Sequence, residues 1–150
     1  MLMGKQKVLN ELYNVGLFTF GDHLIDIGVG GSCVGDIDAV LIVSKYKPSL
    51  VKTFIERSEN NLNKKVSVIL MTKMMFHRQN FWCDKFITMA LKGIEFFDYG
   101  DFNIDINTAR DLIKPLIPEA TYRIYRSYLD GKIDEDRLID LLVQYLVLCQ

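Results

Sequence analysis

The sequence predicts an α/β fold: a small mixed sheet of about four strands with flanking helices and a C-terminal helical annex. Two observations lead to this prediction. Short runs rich in β-branched residues alternate, over the first two thirds of the chain, with longer segments whose apolar residues recur at helical spacing. The last third carries helical patterns only. We therefore expect an α/β core over residues 1–104 and C-terminal helices over residues 105–150 that pack on it or extend it as a single compact unit.

Length and composition are those of one globular domain. The chain has 150 residues, 49% of them hydrophobic, so a disordered or fibrous class is excluded. Its 18 basic and 19 acidic residues give a formal charge of -1, which argues against a dedicated nucleic-acid coat. The three cysteines are widely separated, and no apolar run is long enough for a signal peptide or a membrane span. We expect a reducing, cytoplasmic setting.

The first elements predicted are one helix and two strands. Apolar residues at helical spacing over residues 6–15 predict an amphipathic helix, and Gly16 follows as its C-terminal stop. Residues 24–29 and 38–43 are short, rich in β-branched residues and separated by a glycine cluster. They predict two buried strands that flank this cluster.

The middle of the chain continues the alternation. An apolar stripe over residues 50–62 predicts a helix that starts at residue 48 or 49. Residues 65–71 predict a third strand, and Thr72 then caps a helix that runs to about Leu91. The apolar residues of that helix are expected to face inward, and they are Met75, Phe76, Phe81, Trp82, Phe86 and Ala90.

One more strand and three helices complete the prediction. Residues 94–99 predict a short fourth strand, and Asn107 or Thr108 can cap the next helix. Pro118 can start another helix, and the last runs over residues 134–149. That final helix is apolar nearly all round, so a second surface should cover it. We predict a homodimer or a protein-partner interface there.

A carboxylate pair beside a glycine turn is the candidate site. Asp36 and Asp38 are two residues apart at the start of a predicted strand, so both side chains would leave one face with α-carbons about 6.6 Å apart. Two such carboxylates suit Mg²⁺ bridged to substrate phosphates. Just upstream, Gly30, Gly31 and Ser32 can bring backbone N–H groups and a hydroxyl against a phosphate.

This arrangement resembles the DNA polymerase beta superfamily of nucleotidyltransferases. Its signature places a glycine and then Gly or Ser before an Asp, an apolar residue and a second acid, which here read Gly30-Gly31-Ser32 and Asp36-Ile37-Asp38. Residues 64–100 look like the strand, helix and terminal strand of minimal nucleotidyltransferases, so the resemblance covers about residues 8–100. It implies Mg²⁺-dependent transfer of a nucleoside monophosphate from a nucleoside triphosphate to a hydroxyl of a small molecule, a protein or an RNA.

The sequence departs from the family pattern in two places. Only residues 33–35 separate the glycine turn from Asp36, where active members have a longer spacer with a short helix. Active members also carry a third carboxylate on the next strand, and the corresponding place, around Ser67, has no acid, although Asp26 or Glu56 could replace it. These departures favour a second hypothesis, in which a catalytically degenerate fold acts as a binding or regulatory module.

A third hypothesis starts from residues 26–31, which resemble the first motif of S-adenosylmethionine-dependent methyltransferases. That fold needs a helix after the glycines, whereas a strand is predicted here.

Two other patterns are interpreted as structural. His23 and His77 have no metal-ligand companions in the sequence, so both are taken as surface or structural residues. Tyrosines and arginines alternate over residues 122–128, and helical spacing predicts packed tyrosines with a solvated basic face.

Overall fold

The computed structural model describes residues 4–78 and 83–149. Its elements, in chain order, are α1 (Lys5–Phe20), β1 (Leu24–Gly30), β2 (Ile37–Val43), α2 (Pro48–Leu62), β3 (Val66–Thr72), α3 (Lys73–Arg78), α4 (Asp84–Lys92), β4 (Ile94–Phe96), β5 (Gly100–Phe102), α5 (Ile106–Ile113), α6 (Ile117–Leu129) and α7 (Glu135–Cys149). One turn of 3₁₀ helix precedes β1 and another precedes α6.

The five strands form one mixed sheet in the order β3-β2-β1-β4-β5. β2 and β3 are parallel, and every other neighbouring pair is antiparallel. The predicted α/β class, with a mixed sheet, flanking helices and C-terminal helices, is confirmed. The fourth strand is shorter than predicted: β4 ends at Phe96, and a tight turn then leads into β5, which the sequence analysis did not predict.

Alternation along the strands separates the two faces of the sheet. One face packs against α1 and α2 and contains Ile27, Val29, Ile37, Ala39, Leu41, Val43, Val66, Val68 and Leu70. On the central strands the alternate residues, which include Gly28 and Asp38, lie on the other face because successive side chains point in opposite directions. Val40 and Ile42 of that second face are also fully buried, so β2 is apolar on both sides beyond Asp38.

The first helix passes through Gly16, so the prediction that Gly16 ends it is wrong. α1 ends instead at Gly21, whose φ is 57° and whose N–H donates to the carbonyl of Leu17. A Cβ on Gly16 would lie 2.7 Å from Cδ1 of Ile27, so this glycine permits the close approach of α1 to the sheet.

The predicted helix from Thr72 to Leu91 is two helices. Thr72 does cap the first, since its hydroxyl accepts from the N–H of Met75 at 3.1 Å, but α3 contains only six residues. Cys83 is outside both helices, and Phe81 and Trp82 lie outside the described residues. No residue of α3 is buried, and Phe76 is half-buried and stacks on Tyr99 with a centroid distance of 4.9 Å. Phe86 and Ala90 of α4 are fully buried, as predicted.

The described residues form two compact units. A sheet unit comprises residues 4–78 and 92–103, and a helical unit comprises residues 83–91 and 104–149. The core of the helical unit is built on Ile87, Ala109 and Ile113, all with 0% exposure.

Asp105 is the N-cap of α5 and accepts from the N–H of Thr108 at 2.7 Å, so the predicted caps Asn107 and Thr108 are wrong by two or three positions.

Asp84 ties three helices of the helical unit together. Its carboxylate is 2.9 Å from the guanidinium of Arg123 on α6 and accepts from the hydroxyl of Tyr145 on α7 at 2.7 Å. Burial opposes ionisation of Asp84, but the hydrogen bonds from Tyr145 and Arg123 and the charge of Arg123 outweigh it and lower the pKa of the carboxyl. The charged carboxylate therefore stabilises this unit.

The tyrosines of α6 are not packed, contrary to the sequence-based prediction. Tyr122 is 70% exposed, and Tyr125 and Tyr128 are also exposed. Both arginines are paired instead, Arg123 with Asp84 and Arg126 with Asp130. On α7, Ile139, Val143 and Val147 recur every four residues and all three are exposed.

Within the described residues, no helix combines the length and apolarity that crossing a bilayer requires.

Gly28 allows a close contact at the centre of the sheet, and replacing it tests the packing of the second face. A Cβ there would lie 2.7 Å from Cδ1 of Phe96 and 2.9 Å from Cγ2 of Ile94. Both neighbours are buried, so Gly28→Ala should lower the free energy of unfolding in urea by about 1–3 kcal/mol. Gly35→Ala is the control, since nothing lies within 4 Å of its Cβ position. Equal stability of the two variants would contradict this account of the sheet.

Asp84→Asn tests the ionic contact in the helical unit. Because the pKa of Asp84 is lower in the folded protein than in the unfolded chain, its stabilisation is present above pH ~4 and is lost as the pH falls through the folded-state value. The variant should be about 1–3 kcal/mol less stable at pH 7, and the difference should shrink on acidification. Urea unfolding at several pH values measures this, with the exposed Asp111→Asn as control. A difference that does not change with pH would contradict it.

Candidate functional site

Asp38 lies between the glycine turn and β3. In the antiparallel pair β1–β2 its register partner is Gly30, the last residue of β1. In the parallel pair β2–β3 its partner is Ser67. Register partners share a face and neighbouring strands lie about 4.8 Å apart, so the carboxylate, the glycine backbone and the serine share one short row across the sheet.

Asp36 is exposed and precedes the strand, so the prediction that both aspartates belong to one strand holds only for Asp38. β2 starts at Ile37, which is fully buried and whose N–H donates to the carbonyl of Lys65 at 2.8 Å. This anchor fixes the point where the chain enters the sheet. Asp36 is thereby held one residue outside it.

The loop from Gly31 to Asp36 carries the other predicted residues. Gly31 has a φ of 70° and no atom within 4 Å of its Cβ position, so the backbone is accessible there. The hydroxyl of Ser32 accepts from the N–H of Val34 at 3.5 Å, which forms a local turn. Within the described part of the chain, the N–H groups of Ser32, Gly35 and Asp36 donate to no backbone carbonyl. The loop therefore presents backbone donors near Asp38.

Cys33 and Lys64 hold this loop in place, and the sequence analysis assigned no role to either. Cys33 has a φ of 59°, unusual for a residue with a side chain, and its thiol is buried in the core under the sheet. Burial raises the pKa of this thiol. The ammonium of Lys64 donates to the carbonyl of Cys33 at 2.5 Å and to that of Val34 at 3.3 Å. No local pattern identifies this contact, because Lys64 follows α2 and is 31 residues away in sequence.

Among the residues that the structure describes, no third carboxylate side chain joins Asp36 and Asp38 in a group that could hold a metal. Ser67 occupies the position on β3 beside Asp38, as the sequence indicated. Asp26 pairs with Ile42, four residues further along β2, so it lies about 13 Å from the level of Asp38. Glu56 lies on α2, which packs on the other face of the sheet, and its carboxylate is 3.8 Å from the ammonium of Lys52. Neither acid takes the missing place.

Asp26 has a structural task instead. Its side chain is fully buried and accepts from the N–H groups of Ile27, Asp98 and Tyr99 at 2.8, 3.0 and 2.9 Å. These bonds hold the turn between β4 and β5 against β1. Burial raises the pKa of Asp26, although the three N–H groups favour its charged form. A carboxylate committed to three donors of its own fold is unsuited to binding a metal.

The chemistry of the donor set fits a magnesium ion that shares its coordination with a ligand. Carboxylate oxygens are the hard donors that Mg²⁺ prefers, and a site with one or two carboxylates takes its remaining ligands from phosphates and water. Among the described residues, no group of three or more His, Cys, Asp or Glu side chains could hold a metal. Asp36 and Asp38 therefore fit a metal that arrives with a phosphate ligand, and not an all-protein metal cage.

No family profile and no curated protein matches the sequence. Solved structures give weak similarities. One is a crystal structure from Shewanella oneidensis, with 7% identity and a TM-score of 0.46 over 85% of this chain and 96% of that one. Another is the tri-AMPylated Shewanella oneidensis HEPN toxin in complex with MNT antitoxin, with 11% identity and a TM-score of 0.41 over 85% and 96%. A third is the toxin–antitoxin MntA-HepT, with 9% identity and a TM-score of 0.41 over 85% and 97%.

Removing the Lys64 contacts should loosen the glycine loop. Lys64→Met loses both hydrogen bonds to loop carbonyls, so the buried Cys33 should react with a thiol reagent about tenfold faster, since a bond to a charged group contributes about 1.5–3 kcal/mol. The labelling rate is measured in a Cys83→Ser/Cys149→Ser background. Lys65→Met, an exposed neighbour, is the matched control. Equal rates in the two variants would show that Lys64 does not hold the loop.

Proposed function

We propose that this protein binds a nucleoside triphosphate with Mg²⁺ and transfers a nucleoside monophosphate from it to a hydroxyl. The observation that carries this proposal is the register of β1 with β2, which places Asp38 beside the glycine turn. A carboxylate for the metal then lies on the strand beside the glycine turn, whose backbone N–H groups would bind a phosphate.

Asp36 and Asp38 would hold the metal, and the loop would hold the phosphates. Mg²⁺ would supply charge neutralisation on the phosphate oxygens. Gly30 and Gly31 carry no side chain, and no atom lies within 4 Å of the Cβ position of Gly31, so a phosphate could approach the backbone closely. The hydroxyl oxygen of Ser32 accepts from the N–H of Val34, which leaves its O–H hydrogen able to donate to a phosphate.

The position that would hold a general base for the attacking hydroxyl is occupied by a serine. Ser67 stands where a third carboxylate would receive the proton, and a serine hydroxyl is not a base at neutral pH. General base catalysis contributes about 10²–10⁴-fold where it operates. We therefore expect transfer to be slow compared with enzymes that carry the third acid, while nucleotide binding is unaffected.

A second function, a binding or regulatory module without turnover, is favoured by the same serine and by the surface of α7. Ile139, Val143 and Val147 form an exposed apolar stripe on that helix. Apolar stripes of this kind are typical of helices that pack against another protein surface. In this proposal the fold would bind a protein partner, or a second copy of the chain, through α7.

The methyltransferase hypothesis lacks the element it needs. β1 is followed by a loop and by the antiparallel strand β2, and not by a helix that would receive a cofactor after the glycines. Titration with S-adenosylmethionine remains its direct test.

The carboxylate pair tests the leading proposal. With a nucleoside triphosphate and Mg²⁺ at about ten times Kd, binding should add about 1.4 kcal/mol and raise the Tm by roughly 3–5 °C. Asp36→Asn/Asp38→Asn should abolish this increase because both proposed metal ligands are lost. Differential scanning fluorimetry measures the shift, and the exposed pair Asp101→Asn/Asp111→Asn is the control with the same change in charge.

The same protein samples distinguish nucleotidyl transfer from binding without turnover. No shift in the wild type, or an equal shift in the Asp36→Asn/Asp38→Asn variant, would reject nucleotide binding at this site. A shift accompanied by transfer of a labelled nucleoside monophosphate to any acceptor would reject the module without turnover.

A further inference from the structure

We infer a second ligand site at the opposite end of the sheet, which binds a small molecule that carries two or more phosphate groups. β2 and β3 end side by side, at Val43 and Thr72. Beyond them lies a cavity of about 660 Å³, lined by Ser44, Thr72, Lys73, Met74, His77 and Arg78. All of these residues belong to the sheet unit.

The lining of this cavity is basic and rich in hydroxyl groups. It contains Lys73, Arg78 and His77 together with the hydroxyls of Ser44 and Thr72, and none of the described residues that line it is acidic. In the described part of the chain, neither Lys73 nor Arg78 forms an ion pair with a carboxylate within 4 Å. The ammonium of Lys73, the guanidinium of Arg78 and the hydroxyl of Thr72 match the acceptor oxygens of phosphates, whereas the Ser44 hydroxyl already donates to the carbonyl of His23 at 3.4 Å.

A second cavity adjoins the first and extends the same charge. Its volume is about 600 Å³, and it is lined by Phe20, His23, Lys45, Tyr46, Lys47 and Leu50. His23 on this side and Ser44 on the other are joined by a hydrogen bond of 3.0 Å between Nδ1 and Oγ. Asp22 precedes His23 in the chain but lines neither cavity. Two lysines therefore continue the basic lining.

The charge is local, since the whole chain has a formal charge of -1. Four basic side chains lie where the two strands end, and they are Lys45, Lys47, Lys73 and Arg78. One phosphate in the first cavity cannot contact all four, because two of them line the adjoining one. A ligand with several phosphates can use both, and a volume of about 660 Å³ lies in the range of small-molecule sites.

The position also agrees with a general rule for open α/β sheets, in which ligands bind beyond the carboxyl ends of parallel strands. Here β2 and β3 are the parallel pair, and the basic cavities lie at their carboxyl ends. Asp36 and Asp38 stand at the other end of the seven-residue strand β2, about 20 Å away. The second site is therefore separate from the proposed nucleotidyl-transfer site and does not depend on it.

Tripolyphosphate is the probe that tests this assignment, in calorimetric titrations with EDTA so that no metal can bridge it to the aspartates. The wild type should bind one equivalent. Lys73→Gln/Arg78→Gln should weaken Kd at least tenfold, and both residues are exposed, so the fold should tolerate the change. Lys92→Gln/Lys114→Gln, exposed residues with the same loss of charge, should bind as the wild type does. Asp36→Asn/Asp38→Asn should also bind normally.

Each other result overturns the inference. Equal affinity in the Lys73→Gln/Arg78→Gln variant, or an equal loss in the Lys92→Gln/Lys114→Gln control, would show that binding follows overall charge and not this cavity. Loss of binding in Asp36→Asn/Asp38→Asn would place the polyphosphate at the aspartates instead. A fluorescent single-stranded oligoribonucleotide provides the last arm. If Lys73→Gln/Arg78→Gln abolishes its binding but tripolyphosphate does not displace it, the surface binds a polynucleotide and not a small phosphorylated ligand.

Discussion

The antiparallel pairing of β1 with β2 is the constraint on which the candidate site depends. Its register sets Gly30 opposite Asp38 and leaves only the loop from Gly31 to Asp36 to connect them. The same register places Ile27 and Val29 on the face that packs against α1 and α2. A slip of one residue would move every side chain of the strand to the other face. The glycine turn cannot move relative to Asp38 without breaking the core.

The shortness of the connection explains the strain found in it. A loop of six residues must leave β1, bury a side chain and enter β2 at Ile37. The backbone meets this requirement with positive φ angles at Gly31 and at Cys33, where a residue with a side chain adopts the left-handed region. Such a conformation costs of order 1 kcal/mol or more and persists only if its surroundings enforce it. Burial of the Cys33 thiol and the two hydrogen bonds from Lys64 are the contacts that enforce it.

Local sequence patterns predicted the long apolar elements correctly. They failed where contacts between residues distant in sequence determine the structure. β1, β2, β3 and α2 begin and end within two residues of the predictions, because β-branched runs and an amphipathic stripe determine them. Gly16 looked like a helix stop, yet its contact with Ile27 across the core is what requires a glycine. β5 has three residues and no apolar alternation, so only its pairing with β4 makes it a strand.

The candidate site divides in the same way. The identities of Asp36, Asp38 and the glycines could be predicted, since they are adjacent in sequence, and so could the absence of an acid near Ser67. What could not be predicted is which groups surround them, because register and loop geometry are properties of the folded chain. Asp26 illustrates the difference: it was a candidate to replace the third carboxylate, but its oxygens accept from three backbone N–H groups.

The two aspartates and the basic cavities lie at opposite ends of the sheet, and this separation limits what a single ligand can do. The aspartates stand where β2 begins, and the lysines and Arg78 gather where β2 and β3 end. At about 20 Å the direct interaction between the two ends is largely screened at physiological ionic strength, since the Debye length is about 8 Å. A phosphate without a metal is repelled by the aspartates and attracted by the basic end, whereas a phosphate bound to Mg²⁺ can approach the aspartates. The presence of the metal would therefore decide which end of the sheet a polyphosphate occupies.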